Sequence, residues 1–330
     1  VHARTLLRRF AALATLCTLA GCGGGGAAEV KEDGKLSFKI AITEPDITTV
    51  PILAAIDVVR RQGHTVKVVE LAEPELTIEG LAKGDYAISA EATSSALLAV
   101  ERDAPIKIIA DAIGNQWAVY GKPGISSCGQ LVGRPLGIFS EGATATAMIK
   151  EWVKANCGSG DRPKYLTIGG SDVRAQALVT GRIDATALEV ADAVALEKKA
   201  SGGARFAKIV DFARSLPDLH PQTVYANTDF ITEHRDVAQV FVSALADEHA
   251  KINKDPRYLV GLAARYLPEE GGAEMAEVAE RYVQAKLFNA RALTERNVQG
   301  TIDFFVRAGV IDRGMTARDA ADLTFVGAAA

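Results

Sequence analysis

The strongest constraint on the fold is a change of period along the chain. Apolar runs alternate between strand-like and helix-like spacing from Leu36 to Asn227, and beyond Asn227 only helix patterns remain. Strands are read at Leu36–Thr43, His64–Leu71, Asp85–Ala90, Ile106–Ala112 and Trp117–Tyr120, with helices at Val50–Gln62, at Pro74–Lys83 and from Thr93. Lys122-Pro123-Gly124 and the Ser- and Gly-containing stretch Ser126–Gly133 interrupt the series. A second series follows, with strands at Arg134–Phe139, Lys164–Ile168, Ile183–Leu188 and Phe206–Asp211. Its helices are Thr144–Asn156, one capped by Ser171 and stopped by Gly181, and Ala191–Ala200. Ser215–Pro221 then leads to a last strand at Gln222–Asn227.

Repeated β-α-β predicts largely parallel sheets covered by helices. A closed (β/α)8 barrel would alternate to its end, yet here the tail is helical, as in Thr294–Gly309, where Val298, Ile302, Phe305 and Val306 recur at helical spacing. An α/β protein of two lobes fits better. Residues 36–125 plus 222–330 form lobe I and residues 126–221 lobe II, joined by crossovers at Gly121–Gln130 and Ser215–Gln222.

The first residues carry an address rather than a fold. Arg4, Arg8 and Arg9 precede the apolar run Phe10–Leu19, which has the length of an export signal and is too short to cross a bilayer, which needs roughly 20 residues. Leu19-Ala20-Gly21-Cys22 resembles the lipobox of bacterial lipoproteins, which implies cleavage after residue 21 and acylation of Cys22. Residues 22–35, opened by four glycines, then read as a flexible tether. Loss of residues 1–21 removes three arginines and no acid, so the formal charge moves from −4 to about −7. An acidic body is the opposite of the basic footprint of nucleic-acid binders. Hydrophobic content of 48% and charged content of 24% are those of an ordinary globular protein.

Of four cysteines, Cys17 leaves with the signal, and Cys128 and Cys157 remain beside Cys22. Cys128 precedes a strand and Cys157 ends the helix returning from it, so the two lie near each other. They are either a disulfide, as an oxidising compartment permits, or two thiols. Neither has a His or a second Cys at metal-ligand spacing, and no metal or cofactor is expected. Catalytic constellations are missing too: there is no G-x-S-x-G, no H-E-x-x-H and no C-x-x-C. Gly114–Lys122 is a poor P-loop, with Pro123 where a Ser or Thr is needed. The histidines at 2, 64, 220, 234 and 249 show no ligand spacing.

In parallel α/β lobes the carboxyl ends of strands and the amino ends of the following helices face one crevice. The candidate segments are therefore Glu44–Thr49, Glu91–Ser95, Asn115–Trp117, Ser140–Thr146 and Glu189–Asp192. From them the ligand-binding candidates are Asp46, Thr48, Glu91, Thr93, Ser94, Asn115, Trp117, Ser140, Thr144 and Glu189, with Tyr225 supplying a ring. Thr93, Ser140 and Thr144 serve either the ligand or their own helix ends, and Trp117 is either core or a stacking platform. Glu44, Asp46, Glu91, Glu141, Glu189 and Asp192 fall on the cleft side, where Lys and Arg are nearly absent. That charge favours a cationic, zwitterionic or neutral nitrogen-containing solute, although first-turn acids also stabilise helices unaided.

Order and spacing of several stretches resemble the two-lobed solute-binding proteins of bacterial ABC importers, with the type II periplasmic-binding-protein fold. The stretches are Gly133–Ile138, Gly142–Trp152, Gly181–Ala185, Asp229–Ile231 and Arg235–Phe241. The likeness is to the nitrate, sulfonate and taurine branch, which also holds binders of thiamine-pyrimidine precursors. It covers nearly all of the mature chain, but Glu44–Thr49 lacks the aromatic and glycine character common there, so ligand class does not transfer. The cysteine-rich motif of the related pyrimidine-synthesising enzymes is also missing. The resemblance implies a monomeric, non-enzymatic, extracytoplasmic lipoprotein, anchored to the membrane by its lipid, that delivers a small solute to an ABC permease and its ATPase. The rival readings are a sensory binder that signals to a membrane receptor and a periplasmic enzyme on the same fold.

Overall fold

A computed structural model describes residues 26–43, 45–158, 162–199, 205–268 and 274–327. The export signal, Cys22 and Glu44 lie outside the described residues. The first half runs β1 (Ala28–Val30), β2 (Leu36–Ile42), α1 (Val50–Arg61), β3 (Thr65–Glu70), α2 (Pro74–Lys83), β4 (Ile88–Ala92), α3 (Thr93–Glu101) and β5 (Ile106–Ile113). Next come β6 (Ala118–Gly121), β7 (Pro135–Ile138), α4 (Thr144–Asn156), β8 (Lys164–Thr167), α5 (Ser171–Val179), β9 (Ala185–Leu188), α6 (Val190–Lys199), β10 (Ala207–Asp211) and α7 (Phe212–Ser215). The chain continues through β11 (Gln222–Asn227), α8 (Thr228–Glu233), α9 (Arg235–Lys254), α10 (Pro256–Tyr266), α11 (Met275–Gln284), α12 (Glu295–Arg307) and α13 (Ala317–Ala320).

Two sheets result. In lobe I, β2 pairs in parallel with β3 and β4, and β11 lies antiparallel between β4 and β5. In lobe II the order is β10-β6-β9-β7-β8, with β7 parallel to β8 and β9, and β6 and β10 antiparallel to their neighbours. The sheets are thus mixed rather than largely parallel. The two strands that arrive by crossing between lobes, β6 and β11, both run antiparallel to their neighbours, because a crossover delivers its strand without a returning helix.

Two sequence expectations need correction. Residues 118–121 belong to lobe II, since β6 pairs with β9 and β10. The first crossover is therefore Gly114–Trp117, ahead of the Lys122-Pro123-Gly124 break, which is only a turn closed by a bond from the Ile125 amide to the Lys122 carbonyl at 2.9 Å. Part of the tether span is also structured, because β1 pairs antiparallel with the start of β2, Ala28 opposite Phe38 and Val30 opposite Leu36. The glycine-based argument for flexibility does not reach these residues.

Cys128 and Cys157 form a disulfide with their Cα atoms 4.8 Å apart, one opening a short 3-10 turn before β7 and the other just past α4. In the tail, α10 and α11 join the β2–α1 region in one core, where Ile47, Val50 and Ala54 meet Leu259, Leu262, Val278 and Tyr282. The α11 helix also touches lobe II, through Arg281 to Glu197 of α6 at 2.8 Å and Lys198 to Glu277 at 3.2 Å.

Candidate ligand-binding cleft

A cavity of about 480 Å³ lies between the lobes. Lobe I contributes Thr43, Pro45 and Asp46 after β2, Glu91 from β4, and Gln222 from β11. Lobe II contributes Trp117, Phe139, Thr144, Asp172, Arg174, Glu189 and Asp192, and α11 adds Met275. Most of these follow strand ends or open helices, the geometry that strand polarity predicts.

Carboxyl groups dominate the wall. Asp46 Oδ1 accepts from the Thr48 amide at 2.8 Å, the Thr48 hydroxyl at 2.6 Å and the Thr49 amide at 3.2 Å. This turn fixes the Asp46 side chain on the cavity wall that Glu189 also lines. Burial raises Asp46 above the ordinary carboxylate range despite the Thr48 and Thr49 bonds. Burial raises Glu189 much further, and the neighbouring Asp46 and Asp192 charges add to the effect. Glu91, 8% exposed, accepts from the Thr43 hydroxyl and from its neighbour's amide, that of Ala92, at 3.0 Å. Burial outweighs both bonds and pushes its carboxyl up to about 7.

Among the described residues, one cation faces these acids. Arg174 sits in the first turns of α5 and is 1% exposed. Helical side chains tilt towards the amino end, so its guanidinium reaches back to the Gly169 carbonyl and, through Nε and Nη2, to the Ala187 carbonyl at 3.3 and 3.2 Å. Gly169, at φ 106°, supplies the left-handed turn that presents its carbonyl. The guanidinium also lies 5.6 Å from the Trp117 ring centre and 6.0 Å from that of Phe139, within cation–π range. Burial lowers Arg174 to about 10, with Glu189, Asp192 and Asp172 opposing. Ser171 ties α5 to the acidic loop, its hydroxyl accepting from the Glu189 amide at 3.1 Å.

Of the sequence-predicted residues, Asp46, Glu91, Trp117, Thr144 and Glu189 line the cavity. Thr48 acts through Asp46. Thr93 is buried against the Thr223 hydroxyl at 3.1 Å and does not cap α3, whose cap position is Ala92. Ser94 donates to the Gly142 carbonyl at 2.9 Å and lies 3.0 Å from the Thr144 hydroxyl, so it joins lobe to lobe instead of lining the cavity. Asn115 sits in the first crossover and donates to the Phe212 carbonyl at 3.3 Å, tying that crossover to the start of α7 just ahead of the second. Ser140 does not line the cavity, and its hydroxyl is buried without a protein partner. Tyr225 is fully buried within the lobe I sheet and supplies no ring to the cleft. Glu141 is turned away and paired with Lys150. The sequence reading missed Phe139, Asp172, Gln222 and above all Arg174, the one cation that lines the cavity among the described residues.

Two α/β lobes joined by paired crossovers around a cavity between them define the periplasmic-binding-protein fold. A match over residues 60–258, more than half of the chain, shows that this protein belongs to the NMT1/THI5-like family. The fold is shared with the ligand-binding component of an ABC-type import system from Staphylococcus aureus, solved with zinc bound, at 14% identity and TM-score 0.70, covering 88% of this chain and 98% of that one. The alkanesulfonate-binding protein SsuA from Xanthomonas axonopodis pv. citri, bound to MOPS, aligns at 15% identity and TM-score 0.67, covering 86% and 96%. The periplasmic nitrate-binding protein NrtA from Synechocystis PCC 6803 aligns at 10% identity and TM-score 0.70, covering 91% and 88%. No curated protein matches the chain.

Proposed function

We propose that this protein is an extracytoplasmic solute-binding lipoprotein of an ABC importer. It captures a small solute between its lobes, closes about the two crossovers and hands the solute to a membrane permease without transforming it. The fold shared with importer components supports the class, and the lipobox-like Leu19–Cys22 supports a lipid anchor. A tethered binder stays beside the transporter that empties it.

The observation that carries the solute class is charge. Among the described residues, Asp46, Glu91, Asp172, Glu189 and Asp192 line the cavity against the one guanidinium of Arg174, and that guanidinium is already bonded to two backbone carbonyls. A simple anion would meet a wall of carboxyl groups and push them further from ionisation with one guanidinium to offset them, which opposes sulfonate or nitrate as cargo. The arrangement favours a nitrogen-containing solute that is cationic or zwitterionic, with aromatic surface from Trp117 and Phe139 to cover its apolar part.

Native mass spectrometry of freshly purified protein, followed by thermal shift against amines, pyrimidines and sulfonates, tests this reading. A nitrogenous cation is expected to raise the melting temperature in a concentration-dependent way, and sulfonates are expected to leave it unchanged. Stabilisation by sulfonates alone would overturn the assigned class.

A further inference from the structure

A second cavity, of about 440 Å³, lies on the far side of the first crossover from the cleft. The two cavities share no lining residue, and the first crossover and the β9–α6 turn form the wall between them. Gln116 lines the rear cavity and Trp117 the cleft, just as Leu188 and Val190 line the rear and Glu189 and Ala191 the front. The Gln116 amide nitrogen lies 3.5 Å from Oε1 of Gln222, a cleft residue, and its own Oε1 accepts from the Tyr282 hydroxyl at 2.5 Å. The opposite wall is α11, which packs in a core with lobe I residues. Both lobes therefore enclose the rear cavity.

Its donors point to a different kind of ligand from that of the cleft. Among the described residues Lys208 of β10 and Arg281 of α11 line it with a single acid, Asp211. Arg281 meets both Glu197 and Glu277 through Nη2, at 2.8 and 2.9 Å, and Glu197 is further engaged by the Tyr120 hydroxyl at 3.0 Å. The donors on Nη1 and Nε have no protein partner among the described residues. Lys208 lies 3.6 Å from Asp211 Oδ2, too far for a hydrogen bond, and 5.8 Å from the Tyr120 ring centre. Leu188, Val190 and Leu287 add apolar surface that an inorganic ion would leave uncovered, and the volume is in the range of small-molecule sites.

We propose that the rear cavity is a second ligand site, which takes a small carboxylate-bearing organic anion between Lys208 of lobe II and Arg281 of α11 and thereby favours the closed lobes. Because the anion touches both lobes, it stabilises the conformer in which Ser94 bonds the Gly142 carbonyl over one in which the lobes have parted. Linkage makes the effect reciprocal, so the anion and the cleft solute raise each other's affinity. The site is independent of the cargo in the cleft, and only its coupling to capture rests on the solute-binding reading.

Sodium succinate is the probe, with sodium phosphate as the inorganic arm and sodium chloride of equal ionic strength as the blank. Titration calorimetry of the whole protein is expected to show succinate binding, and small-angle X-ray scattering a smaller radius of gyration at saturation. Lys208 pairs within lobe II, with Asp211, so Lys208→Met removes an anion contact without removing a contact between lobes. It is expected to weaken succinate about tenfold, and Lys208→Arg to restore binding. Arg281→Met should show the same loss, with circular dichroism checking that each variant is folded.

No succinate binding, or undiminished binding in the folded variants, would overturn the rear site and leave solute capture standing. Phosphate binding in place of succinate would overturn the organic class of the ligand. Succinate binding at an unchanged radius would overturn the coupling to closure. Succinate binding in a protein that no nitrogenous cation stabilises would leave the rear site standing and overturn the cargo class of the cleft.

Discussion

Glu91 shows at the scale of one residue how the cleft trades stability for binding. Its carboxyl titrates at about 7 in the folded protein against an ordinary 4.5, because burial disfavours the charge. Between those values the folded chain holds more protons than the unfolded one, so stability falls as pH rises through the window. Glu91→Gln removes that dependence. In urea denaturation the variant is expected to gain about 3 kcal/mol over the parent at about pH 8 and little at about pH 5. Equal differences at both pH values would show that the carboxylate is not the cause. The position of Glu91, like those of Asp46 and Glu189, was legible because each follows a strand whose direction the alternating pattern implies. Arg174 was not, because it falls inside a helical stretch and reaches the cleft only by tilting back along α5. Thr144 lines the cavity and Ser94 does not, and one-dimensional order cannot reveal that their hydroxyls lie 3.0 Å apart.

Elements were the most legible scale, and their errors have local causes. Pro74–Lys83, Thr144–Asn156 and Gln222–Asn227 form with the bounds the pattern implies. The strand read from Asp85 begins instead at Ile88, because Gly84 at φ 79° closes α2 and the Asp85 amide bonds back to the Gly80 carbonyl at 2.8 Å. Composition hid β1, which exists only because β2 offers it an edge. Placement of β6 was hidden too, since sheet membership depends on partners distant in sequence. The Cys128–Cys157 bridge closes a loop with a sequence separation of 29. Replacing both cysteines by serine is expected to cost about 3 to 4 kcal/mol by loop entropy. Chemical denaturation would read the loss, and thermal-shift titration should show solute affinity preserved, because the bridge lies wholly within lobe II.

On the scale of the whole molecule, closure is a contest among contacts that cross the lobes. The Ser94–Gly142 bond acts at the cleft, and the α11 ion pairs with α6 act away from it. Arg281 also pairs with Glu277 at 2.9 Å, while Tyr120 donates to Glu197 at 3.0 Å, completing a partly exposed network. Such pairs contribute about 0 to 1 kcal/mol each, too little to hold the fold but enough to bias two nearly balanced conformers. Arg281→Met is therefore expected to leave the melting temperature almost unchanged and to enlarge the radius of gyration of the unliganded protein. High salt should do the same to the parent and little to the variant. An unchanged radius in both would remove α11 from the account of closure.

The short strand β1 gives the two lobes unequal mechanical roles. By zipping Ala28–Val30 onto β2, it fastens whatever precedes it to the sheet of lobe I. If the chain is moored at its leading end, lobe I is the fixed jaw against the membrane, and lobe II, stiffened by its own disulfide, is the one that swings.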